Sequence, residues 1–318
     1  MKDNFGREID YMRISLTENC NLRCIYCLPE NFSYKKKEIL SAEDVIKTAE
    51  AGKELGIKKI RLTGGEPLLR NDITNIVKGI SKLGIKKIYL TTNGILLKNK
   101  AEELKKAGLS GVNVSLDTLD EKIFFQLTRG GQLSKVLEGI EEAQKQGLEV
   151  KINSVIIKGI NENSIYSLGE FTKKNNIDVR FIELMPVGQG KNFTGVSNEE
   201  IYNLLQNLFQ FDEKYFETKG VSKYYKLKNS KGRIGFISPI NSCFCDTCNK
   251  IRVMSDGSIK RCLNINSHEN IKKYLDRGAD KEALKNILKK EIIGKPEKHL
   301  FNKENDDEEL KNMNEIGG

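Results

Sequence analysis

Short apolar runs alternate with longer amphipathic segments over the first part of the chain. Six runs have the length and residue types of buried β-strands: MRISLT from residue 12, LGIKKIRLT from 55, LGIKKIYLT from 83, GVNVSLD from 111, EVKINSVII from 149 and DVRFIELMPV from 178. Helical patterns lie between them, and Ser41 and Asp72 are suitable first residues for two of these helices. Strands that alternate with helices predict an α/β fold with a parallel sheet and right-handed crossovers.

A near-identical repeat and the strand ends refine this prediction. LGIKKIRLT recurs as LGIKKIYLT after about the length of one strand, crossover and helix. Five predicted strands end in polar or glycine-containing segments: TGGEP, TTNG, SLD, NSVI and ELMP. Ligands bind at the carboxyl ends of parallel strands, so this pattern favours a partial (β/α)6 TIM-type barrel over an open doubly wound sheet. Turn formation alone would also account for the glycine and asparagine at these positions.

Length and composition set the broad class of the protein. The 318 residues suffice for a barrel at residues 1–190 and a smaller α+β region at residues 191–318, which we expect to form a layer closing the barrel mouth. Apolar residues make up 38% and charged residues 31%, and there is no apolar run of membrane-spanning length and no apolar core of a signal peptide. We therefore expect a cytoplasmic protein with no membrane partner.

The charge balance is basic. Lysine and arginine total 53 against 44 aspartate and glutamate, a formal charge of +9. This excess suits a polyanionic ligand such as a nucleotide or a nucleic acid. Solvated helix faces would equally account for many of the lysine pairs.

The seven cysteines fall into two groups that are far apart in the chain. The first group has C-x3-C-x2-C spacing and comprises Cys20, Cys24 and Cys27; the second comprises Cys243, Cys245, Cys248 and Cys262. In a reducing compartment, such clustering favours metal binding over disulfides. The two histidines, His268 and His299, are expected to be ordinary surface residues.

The cysteine spacing leaves two kinds of metal site open at each group. Three thiolates can hold three corners of a cubane iron–sulfur cluster and leave one iron without a protein ligand. For the first group, zinc with a distant fourth ligand also fits. For the second group, the alternatives are a three-cysteine cluster with Cys243 as a spare thiol, or a closed four-thiolate zinc site.

The C-x3-C-x2-C loop, Tyr26 before its last cysteine and GGEP at residues 64–67 resemble the radical S-adenosylmethionine enzymes, which carry this loop on a (β/α)6 partial barrel. The resemblance implies a [4Fe-4S] cluster whose open iron binds S-adenosylmethionine. One electron from the reduced cluster splits that cofactor into methionine and a 5′-deoxyadenosyl radical. The implied ligands of this cluster are Cys20, Cys24 and Cys27, and the implied S-adenosylmethionine site comprises Tyr26, Gly65, Ser115 and Met185.

Four further segments resemble one branch of that family, which cyclises GTP in the first step of molybdenum cofactor biosynthesis, a lyase reaction. The segments are FGREI near the start, RFIELMPVG at residues 180–188, CFCDTCNKIRVMSDGSIKRCL at residues 243–263 and the terminal MNEIGG. The resemblance implies that the adenosyl radical abstracts the 3′ hydrogen of the GTP ribose and that C3′ then bonds to C8, giving 3′,8-cyclo-7,8-dihydro-GTP. It also implies a second [4Fe-4S] cluster that contacts guanine, held by Cys245, Cys248 and Cys262, and a tail in which Gly317 and Gly318 assist the radical chemistry.

Cations inside predicted strands agree with an anionic substrate. Arg61, Lys151 and Arg180 stand where isoleucine or valine is usual in a buried parallel strand, and such a charge should face the barrel interior. The family's GTP site maps onto Arg13, Arg61, Thr91, Lys151, Arg180, Lys250 and Arg252. Lys250 replaces an arginine that is usual in the branch, so we expect a point charge there instead of a bidentate clamp.

The resemblance further implies a cellular one-electron reductant, a downstream cyclic pyranopterin monophosphate synthase and a possible homodimer, with no nucleic-acid partner. Two alternatives belong to other classes. A radical enzyme acting on a peptide or tRNA would also use basic charge and an auxiliary cluster. A zinc-binding nucleic-acid module would explain the charge and the second cysteine group, but not GGEP or the strand ends.

Overall fold

The computed structural model describes residues 1–34, 38–267, 269–299, 301 and 311–317. Its first part contains the six predicted strands as neighbours in one parallel sheet. They are β1 (Tyr11–Ser15), β2 (Lys59–Thr63), β3 (Lys87–Thr92), β4 (Gly111–Ser115), β5 (Glu149–Ser154) and β6 (Asp178–Ile182). The six strand predictions, and the parallel α/β class that they imply, are confirmed.

Helices cross between these strands. They are α1 (Ala42–Glu54), α2 (Ile73–Lys82), α3 (Ala101–Ala107), α4 (Glu121–Thr128), α5 (Leu133–Lys145) and α6 (Ser164–Lys174). The predicted start of α1 is confirmed by a capping box: Ser41 Oγ accepts the N–H of Asp44 at 3.1 Å, and Asp44 accepts the N–H of Ser41 at 2.9 Å. Asp72 precedes α2 as predicted, but its carboxylate binds Arg70 at 2.6 Å instead of capping the helix.

The later part of the chain adds strands at both edges of the same sheet. It contains α7 (Asn198–Leu208), β7 (Phe211–Lys219), β8 (Ser222–Leu227), β9 (Ile234–Ile237), β10 (Lys250–Val253), β11 (Ser258–Lys260), β12 (Glu269–Asn270), α8 (Lys272–Leu275) and α9 (Lys281–Ile293). Strand β10 pairs in parallel with β1, and β9 pairs in parallel with β6. The described strands therefore run in the order β12-β11-β10-β1-β2-β3-β4-β5-β6-β9-β8-β7.

The described strands of the later part extend the sheet of the first part at both edges. A six-stranded partial barrel leaves two edges with unpaired backbone groups, and β10 and β9 pair with those groups. Three members of the second cysteine group, Cys243, Cys245 and Cys248, consequently precede a strand that lies directly beside β1, from which the first cysteine loop departs, and Cys262 follows β11.

Alternation along the strands separates an apolar outer core from a polar interior. In β2, Ile60 and Leu62 belong to the main apolar cluster. Lys59, Arg61 and Thr63 alternate with them and therefore lie on the other face of the sheet. The same cluster continues into α9, which packs on α1. Among the residues described, no helix combines the length and apolar composition required to cross a membrane.

Candidate active site

The loop after β1 presents Cys20, Cys24 and Cys27 as free cysteines. The N–H groups of Cys27 and Leu28 both donate to the carbonyl oxygen of Cys24, at 2.9 and 3.0 Å, which turns the chain between the second and third thiol. Burial raises the pKa of Cys20 to about 11 and of Cys27 to about 12, and burial also raises the pKa of Cys24. The thiols are therefore protonated at neutral pH, and a bound metal cluster would displace their protons.

The spacing of these thiols bears on what they can hold. Within the described part of the chain, the three sulfurs do not form a set whose members all lie within 4.8 Å of one another, as ligands of a single small ion would. Sulfurs that bind separate irons of a cubane lie further apart than ligands of one ion. The triplet thus fits a four-iron cluster better than a zinc ion.

The GGEP segment packs directly against the approach to this loop. The N–H of Gly65 donates to the carbonyl of Thr17 and the N–H of Glu66 to that of Asn19, both at 2.7 Å. A Cβ on Gly65 would overlap the carbonyl oxygens of Glu18 and Asn19. Only glycine allows the end of β2 to approach the cysteine loop this closely.

Glu66 connects the ends of β2 and β3. Its buried carboxylate accepts the hydroxyl of Thr92 at 2.8 Å and the N–H of Asn93 at 2.7 Å, and also caps the 3-10 turn by accepting the N–H of Leu68 at 3.0 Å. Burial raises the pKa of Glu66 to about 7. Asn93 in turn donates to the sulfur of Cys20 at 3.7 Å, so this network reaches the first thiol.

Tyr26 connects the cysteine loop to the opposite side of the barrel mouth. Its hydroxyl donates to Asp117 Oδ2 at 2.6 Å, while the N–H of Val155 donates to Oδ1 at 2.9 Å. Burial raises the pKa of Asp117 to about 6. Ser115, at the end of β4, lies in register with Asn153 of β5, whose Oδ1 is buried without a hydrogen-bond partner among the described residues.

Three arginines lie side by side across adjacent strands. Arg13 of β1 is in register with Arg252 of β10 on one side and with Arg61 of β2 on the other. Burial, together with the charges of Arg252 and Arg61, lowers the pKa of Arg13 to about 9. Three neighbouring guanidinium groups on one face of a sheet form a site suited to an anion.

Tyr11 and Lys59 continue this cationic wall toward the amino ends of the strands. Arg61 Nε donates to the Tyr11 hydroxyl at 2.5 Å, and Arg61 Nη1 to Thr91 Oγ1 at 3.4 Å. Lys59 Nζ lies 4.7 Å from the ring centre of Tyr11. Burial would raise the pKa of Tyr11, but Arg61, Arg13 and the nearby lysines outweigh burial and lower it to about 7. A phenolate next to these cations would offset part of their charge.

Arg180 and Lys151 lie further around the sheet and differ from each other. Arg180 is buried, its Nε and Nη2 have no hydrogen-bond partner within the described chain, and burial lowers its pKa. Lys151 instead makes ion pairs with Glu149 at 2.9 Å and with Asp178 at 3.8 Å. Arg180 therefore has unused donors for a ligand, whereas the charge of Lys151 is already balanced.

The second cysteine group lies beside the cationic row. Burial lowers the pKa of Lys250 to about 8. Burial would raise the pKa of Cys248, but Lys295, Lys250 and Arg252 together lower it. Burial raises the pKa of Cys245 to about 12. In the second group, the surroundings of Cys248 thus favour its thiolate, whereas those of Cys245 favour its neutral thiol.

His299 is not an ordinary surface residue, contrary to the expectation from the sequence. It is half-buried, and its ligand atom lies within 4.8 Å of the sulfurs of Cys243 and Cys245. The reason is tertiary: the segment after α9 returns to the second cysteine group. His268 lies outside the described residues.

Arg7 holds that returning segment in place. Its Nη1 donates to the carbonyls of Cys245 and Glu297, both at 2.9 Å, and its Nη2 to the carbonyl of Pro296 at 2.7 Å. Asp3 accepts the Nε of Arg7 at 2.6 Å, and both side chains are buried. The FGREI segment therefore contributes a structural clamp at the second cysteine group.

The C-terminal tail lies between the two cysteine groups. The backbone N–H of Asn314 donates to the sulfur of Cys27, and Asn314 Nδ2 donates to the carbonyl of Glu18 at 3.0 Å. The carbonyl of Gly317 accepts Nη1 of Arg252 at 3.3 Å. Gly318 lies outside the described residues.

Ile316 secures this tail through an apolar cluster. It is buried with Val187 and Met254, and the half-buried Met185 and Leu263 pack against the same cluster. Met185 thus lies after the end of β6, against both the tail and the neighbour of Cys262.

Two family models divide the chain between them. The model described as Radical SAM superfamily matches residues 14–172, and the model described as Molybdenum Cofactor Synthesis C matches residues 177–301. A GTP 3′,8-cyclase of Clostridium perfringens is 45% identical over 100% of both chains, and one of Alkaliphilus metalliredigens is 43% identical with the same coverage. A GTP 3′,8-cyclase of Listeria monocytogenes is 41% identical and covers 100% of this chain and 99% of its own.

This chain belongs to the GTP 3′,8-cyclase family. It is accordingly a radical S-adenosylmethionine enzyme, and its family uses S-adenosylmethionine and [4Fe-4S] clusters as cofactors. The resemblance noted in the sequence, and the branch that it indicated, are confirmed.

Solved structures show the same fold. Streptococcus suis SuiB bound to the precursor peptide SuiA superposes with a TM-score of 0.63 at 20% identity, covering 84% of this chain and 63% of SuiB. AnSMEcpe with bound AdoMet gives a TM-score of 0.58 at 18% identity, covering 92% of this chain and 82% of that protein. The likeness places this GTP 3′,8-cyclase family member within the radical S-adenosylmethionine fold.

Several side chains at the site are not predicted from the sequence: Tyr11, Lys59, Asn153, His299 and Arg7. Lys59 could have been predicted as a site residue, because it lies two residues before Arg61 on β2 and so on the same face of the sheet. Tyr11 could have been found in the same way, because it lies two residues before Arg13 on β1. The place of His299 depends on the path of the chain after α9.

Proposed function

We propose that this protein catalyses the reaction for which its relatives are named, the conversion of GTP to 3′,8-cyclo-7,8-dihydro-GTP at the start of molybdenum cofactor biosynthesis. The observation that carries the proposal is the row of Arg252, Arg13 and Arg61 on adjacent strands, where the first cysteine group follows β1 and Cys243, Cys245 and Cys248 precede β10. Arg61 is buried and Arg13 and Arg252 are half-buried, and positive charge gathered in this way favours an anionic ligand such as a triphosphate.

We assign the first [4Fe-4S] cluster to Cys20, Cys24 and Cys27. Three half-buried neutral thiols on one loop, spaced more widely than ligands of one ion, support this assignment. When bound, the cluster and S-adenosylmethionine supply the hydrogen-abstracting radical. The task of the chain is to exclude water there and to orient the two small molecules.

S-adenosylmethionine is assigned to Tyr26, Gly65, Ser115 and Met185. The close approach of Gly65 to Glu18 and Asn19 sets the GGEP segment directly against the start of the first cysteine loop, where the cofactor would bind. Asn153 lies beside Ser115, and its Oδ1 has no hydrogen-bond partner among the described residues. This oxygen could accept a hydrogen bond from the amino group or a ribose hydroxyl of S-adenosylmethionine. The hydrogen bond from Tyr26 to Asp117 would position the ring over the loop.

GTP is assigned to Arg13, Arg61, Thr91, Lys151, Arg180, Lys250 and Arg252. The unused donors of Arg180 favour binding of phosphate oxygens, and so does the position of Arg13, whose pKa is lowered to about 9 by burial and by the neighbouring charges of Arg252 and Arg61. For Lys151, binding would require its ion pairs with Glu149 and Asp178 to be exchanged for phosphate contacts. We add Lys59, whose side chain lies against Tyr11 in the same wall.

The second [4Fe-4S] cluster is assigned to Cys245, Cys248 and Cys262. The cations around Cys248 favour its thiolate, and Lys250 connects this group to the GTP wall. Gly317 and Gly318 are assigned to the reaction itself, because the tail contacts both Arg252 and the first cysteine loop.

The domain division, the partner proteins and the oligomeric state are also part of the proposal. A barrel at residues 1–190 would carry the first cluster, and residues 191–318 the second. A one-electron reductant of the cytoplasm would serve the first cluster, and a cyclic pyranopterin monophosphate synthase would consume the product. Homodimerisation, common among relatives, would leave both sites in each chain.

The test is an incubation of protein carrying both clusters with GTP, S-adenosylmethionine and a strong reductant under nitrogen. We expect 5′-deoxyadenosine and a cyclised purine nucleotide in equal amounts. Formation of 5′-deoxyadenosine without any change in GTP would retain the radical enzyme and reject GTP as its substrate. Metal analysis showing zinc and no iron or sulfide would reject both.

A further inference from the structure

Cys243, Cys245 and His299 form a compact group of potential metal ligands. Their sulfur and nitrogen atoms all lie within 4.8 Å of one another, and no other such group of three histidine, cysteine or acidic side chains occurs in the described ranges. Around tetrahedral zinc, with Zn–S about 2.3 Å and Zn–N about 2.0 Å, ligand atoms are about 3.5–3.8 Å apart. Side-chain shifts on the order of 1 Å would therefore bring this group to zinc geometry.

The geometry of this group is built by surrounding contacts. The backbone N–H of His299 donates to the sulfur of Cys245, and the Arg7 guanidinium joins the carbonyls of Cys245, Pro296 and Glu297. The His299 ring packs against Phe301, with ring centres 4.7 Å apart. These contacts hold the imidazole beside both thiols.

One imidazole nitrogen lacks a partner. His299 Nε2 is buried and has no hydrogen-bond partner among the described residues, while the N–H of Phe301 donates to Nδ1 at 3.5 Å. Burying an unpaired polar atom is unfavourable, and it persists where a ligand or ion can satisfy the group. This observation is independent of the short distances among the three side chains.

We propose that Cys243, Cys245 and His299 bind one zinc ion in the form of the protein that lacks its second iron–sulfur cluster. Two thiolates and one imidazole suit zinc, and water would complete a tetrahedral site. Binding releases two thiol protons, and the two sulfur charges neutralise the ion. Cys248 and Cys262 do not belong to this set, and Cys248 faces the cations Lys295, Lys250 and Arg252, which would repel a dication.

The consequence rests on the proposed role of Cys245 in the second cluster. Since zinc and the cluster would share Cys245, they exclude each other, and zinc would hold the cluster-free loop in its folded arrangement. Cys243 and His299 then act before cluster insertion, not in catalysis.

The test uses the full-length chain with Cys20, Cys24 and Cys27 replaced by serine, prepared free of iron under nitrogen, so that the first group binds no metal. Zinc is titrated against a chromophoric chelator, and cobalt(II) is added separately to detect thiolate-to-cobalt charge transfer. We expect one ion per chain. Cys243→Ser and His299→Gln should each weaken zinc binding by at least about tenfold, whereas Cys248→Ser and Cys262→Ser should change it by less than about twofold.

Two further measurements guard against loss of folding. Zinc should raise the melting temperature of the parent chain but not that of the His299→Gln variant, and His299→Cys should restore zinc binding. If Cys262→Ser weakens zinc binding and His299→Gln does not, the ion uses the four cysteines instead and the proposal fails. It also fails if no zinc binds.

A separate measurement keeps this inference apart from the proposed function. In chains with the first group intact and both clusters reconstituted, Cys243→Ser and His299→Gln should retain iron content and GTP cyclisation. Absence of GTP cyclisation in the unaltered protein would reject the function and leave the zinc result standing.

Discussion

The carbonyl oxygen of Gly317 accepts a hydrogen bond from Nη1 of Arg252, with the two atoms 3.3 Å apart. Arg252 lies on β10, which follows Cys248 of the second cysteine group and pairs with β1. Gly317 also lies against Ser15 and Thr63, at the ends of β1 and β2. The end of the chain is therefore packed into the region where the two small molecules are proposed to meet.

Replacement of Gly317 by alanine should reduce GTP cyclisation while leaving iron content unchanged. Gly317 has φ +67°, and an added Cβ would lie 3.0 Å from Thr63 Cγ2 and 3.1 Å from Ser15 Cβ. The backbone strain alone is about 1–2 kcal/mol, which predicts about a fivefold to thirtyfold loss of rate through displacement of the tail. Rates of 5′-deoxyadenosine and cyclised product formation are the measurement.

Gly278→Ala is the matched control for this variant. Gly278 has φ +76° and nothing within 4 Å of an added Cβ, so it introduces similar strain without the contacts. It should cyclise GTP at the normal rate. Equal rates for both variants and the parent would remove the tail from the mechanism.

Replacement of Arg61 by glutamine should weaken GTP binding. Arg61 is buried next to Arg13 in the arginine row, and a hydrogen bond to a charged group contributes about 1.5–3 kcal/mol, which corresponds to about a tenfold to 150-fold change in Kd. Calorimetric titration with GTP measures the effect, with the exposed Arg277→Gln as control. Indistinguishable Kd values for the two variants would place the triphosphate elsewhere.

Tyr11 should titrate near neutral pH when GTP is absent. Burial opposes ionisation, but Arg61, Arg13, Lys59 and Lys250 lower its pKa from 10 to about 7. Because the folded pKa is below the unfolded one, the phenolate stabilises the fold; the stabilisation is complete above pH 10 and is lost as the pH falls through about 7. Bound GTP would place negative charge on the same cations and raise this pKa.

The ultraviolet absorbance of tyrosinate in cluster-free protein measures this titration. The signal near pH 7 should disappear in Tyr11→Phe and persist in Tyr166→Phe, since Tyr166 is 51% exposed. A titration curve that Tyr11→Phe does not alter would contradict the predicted crowding of cations around Tyr11.

Cys243 and Cys245 should differ in iron binding although they are separated by one residue. After anaerobic reconstitution, Cys245→Ala should lose the second cluster, about half of the bound iron, because a cubane requires its cysteine ligands. Cys243 is exposed, and Cys243→Ala should keep the full amount. Iron and sulfide analysis decides, and equal losses would mean that the second cluster uses a different set of thiols.

Arg7→Lys should selectively weaken the second cluster. The guanidinium reaches the carbonyls of Cys245, Pro296 and Glu297 from two separate nitrogens while its Nε binds Asp3, and the single nitrogen of lysine cannot span these positions. We expect loss of iron from the second cluster on dilution, with the first cluster retained, as followed by electron paramagnetic resonance. Arg277→Lys serves as the control, and unchanged spectra for Arg7→Lys would show that the clamp is dispensable.

Much of the fold could be predicted because its signals are local. Alternating residues in β2, the capping box at Ser41 and the apolar residues Ile73, Ile76 and Val77 of α2 each determine structure within a few residues. The first cysteine group and GGEP could likewise be recognised, since each is a continuous segment. The position of β10 could not be predicted, because its pairing with β1 aligns segments from opposite ends of the chain and no local pattern encodes that pairing.

The candidate site divides in the same way. Residue type and spacing alone were sufficient to identify the candidate metal ligands Cys20, Cys24 and Cys27 and the cations within strands. Their grouping depends on register: Arg13 meets Arg61 and Arg252 only because three strands align. Register is set by backbone pairing between distant segments, which the residue pattern of one strand does not specify.

The amino-acid sequence was sufficient for the strands, the helix starts, the thiol spacing and the family resemblance, because each depends on neighbouring residues. The folded chain alone brought His299 to Cys243 and Cys245, Tyr11 to Arg61 and Gly317 to Arg252. These contacts join segments that are far apart in the sequence, so their energies depend on the path of the whole chain and not on any local pattern.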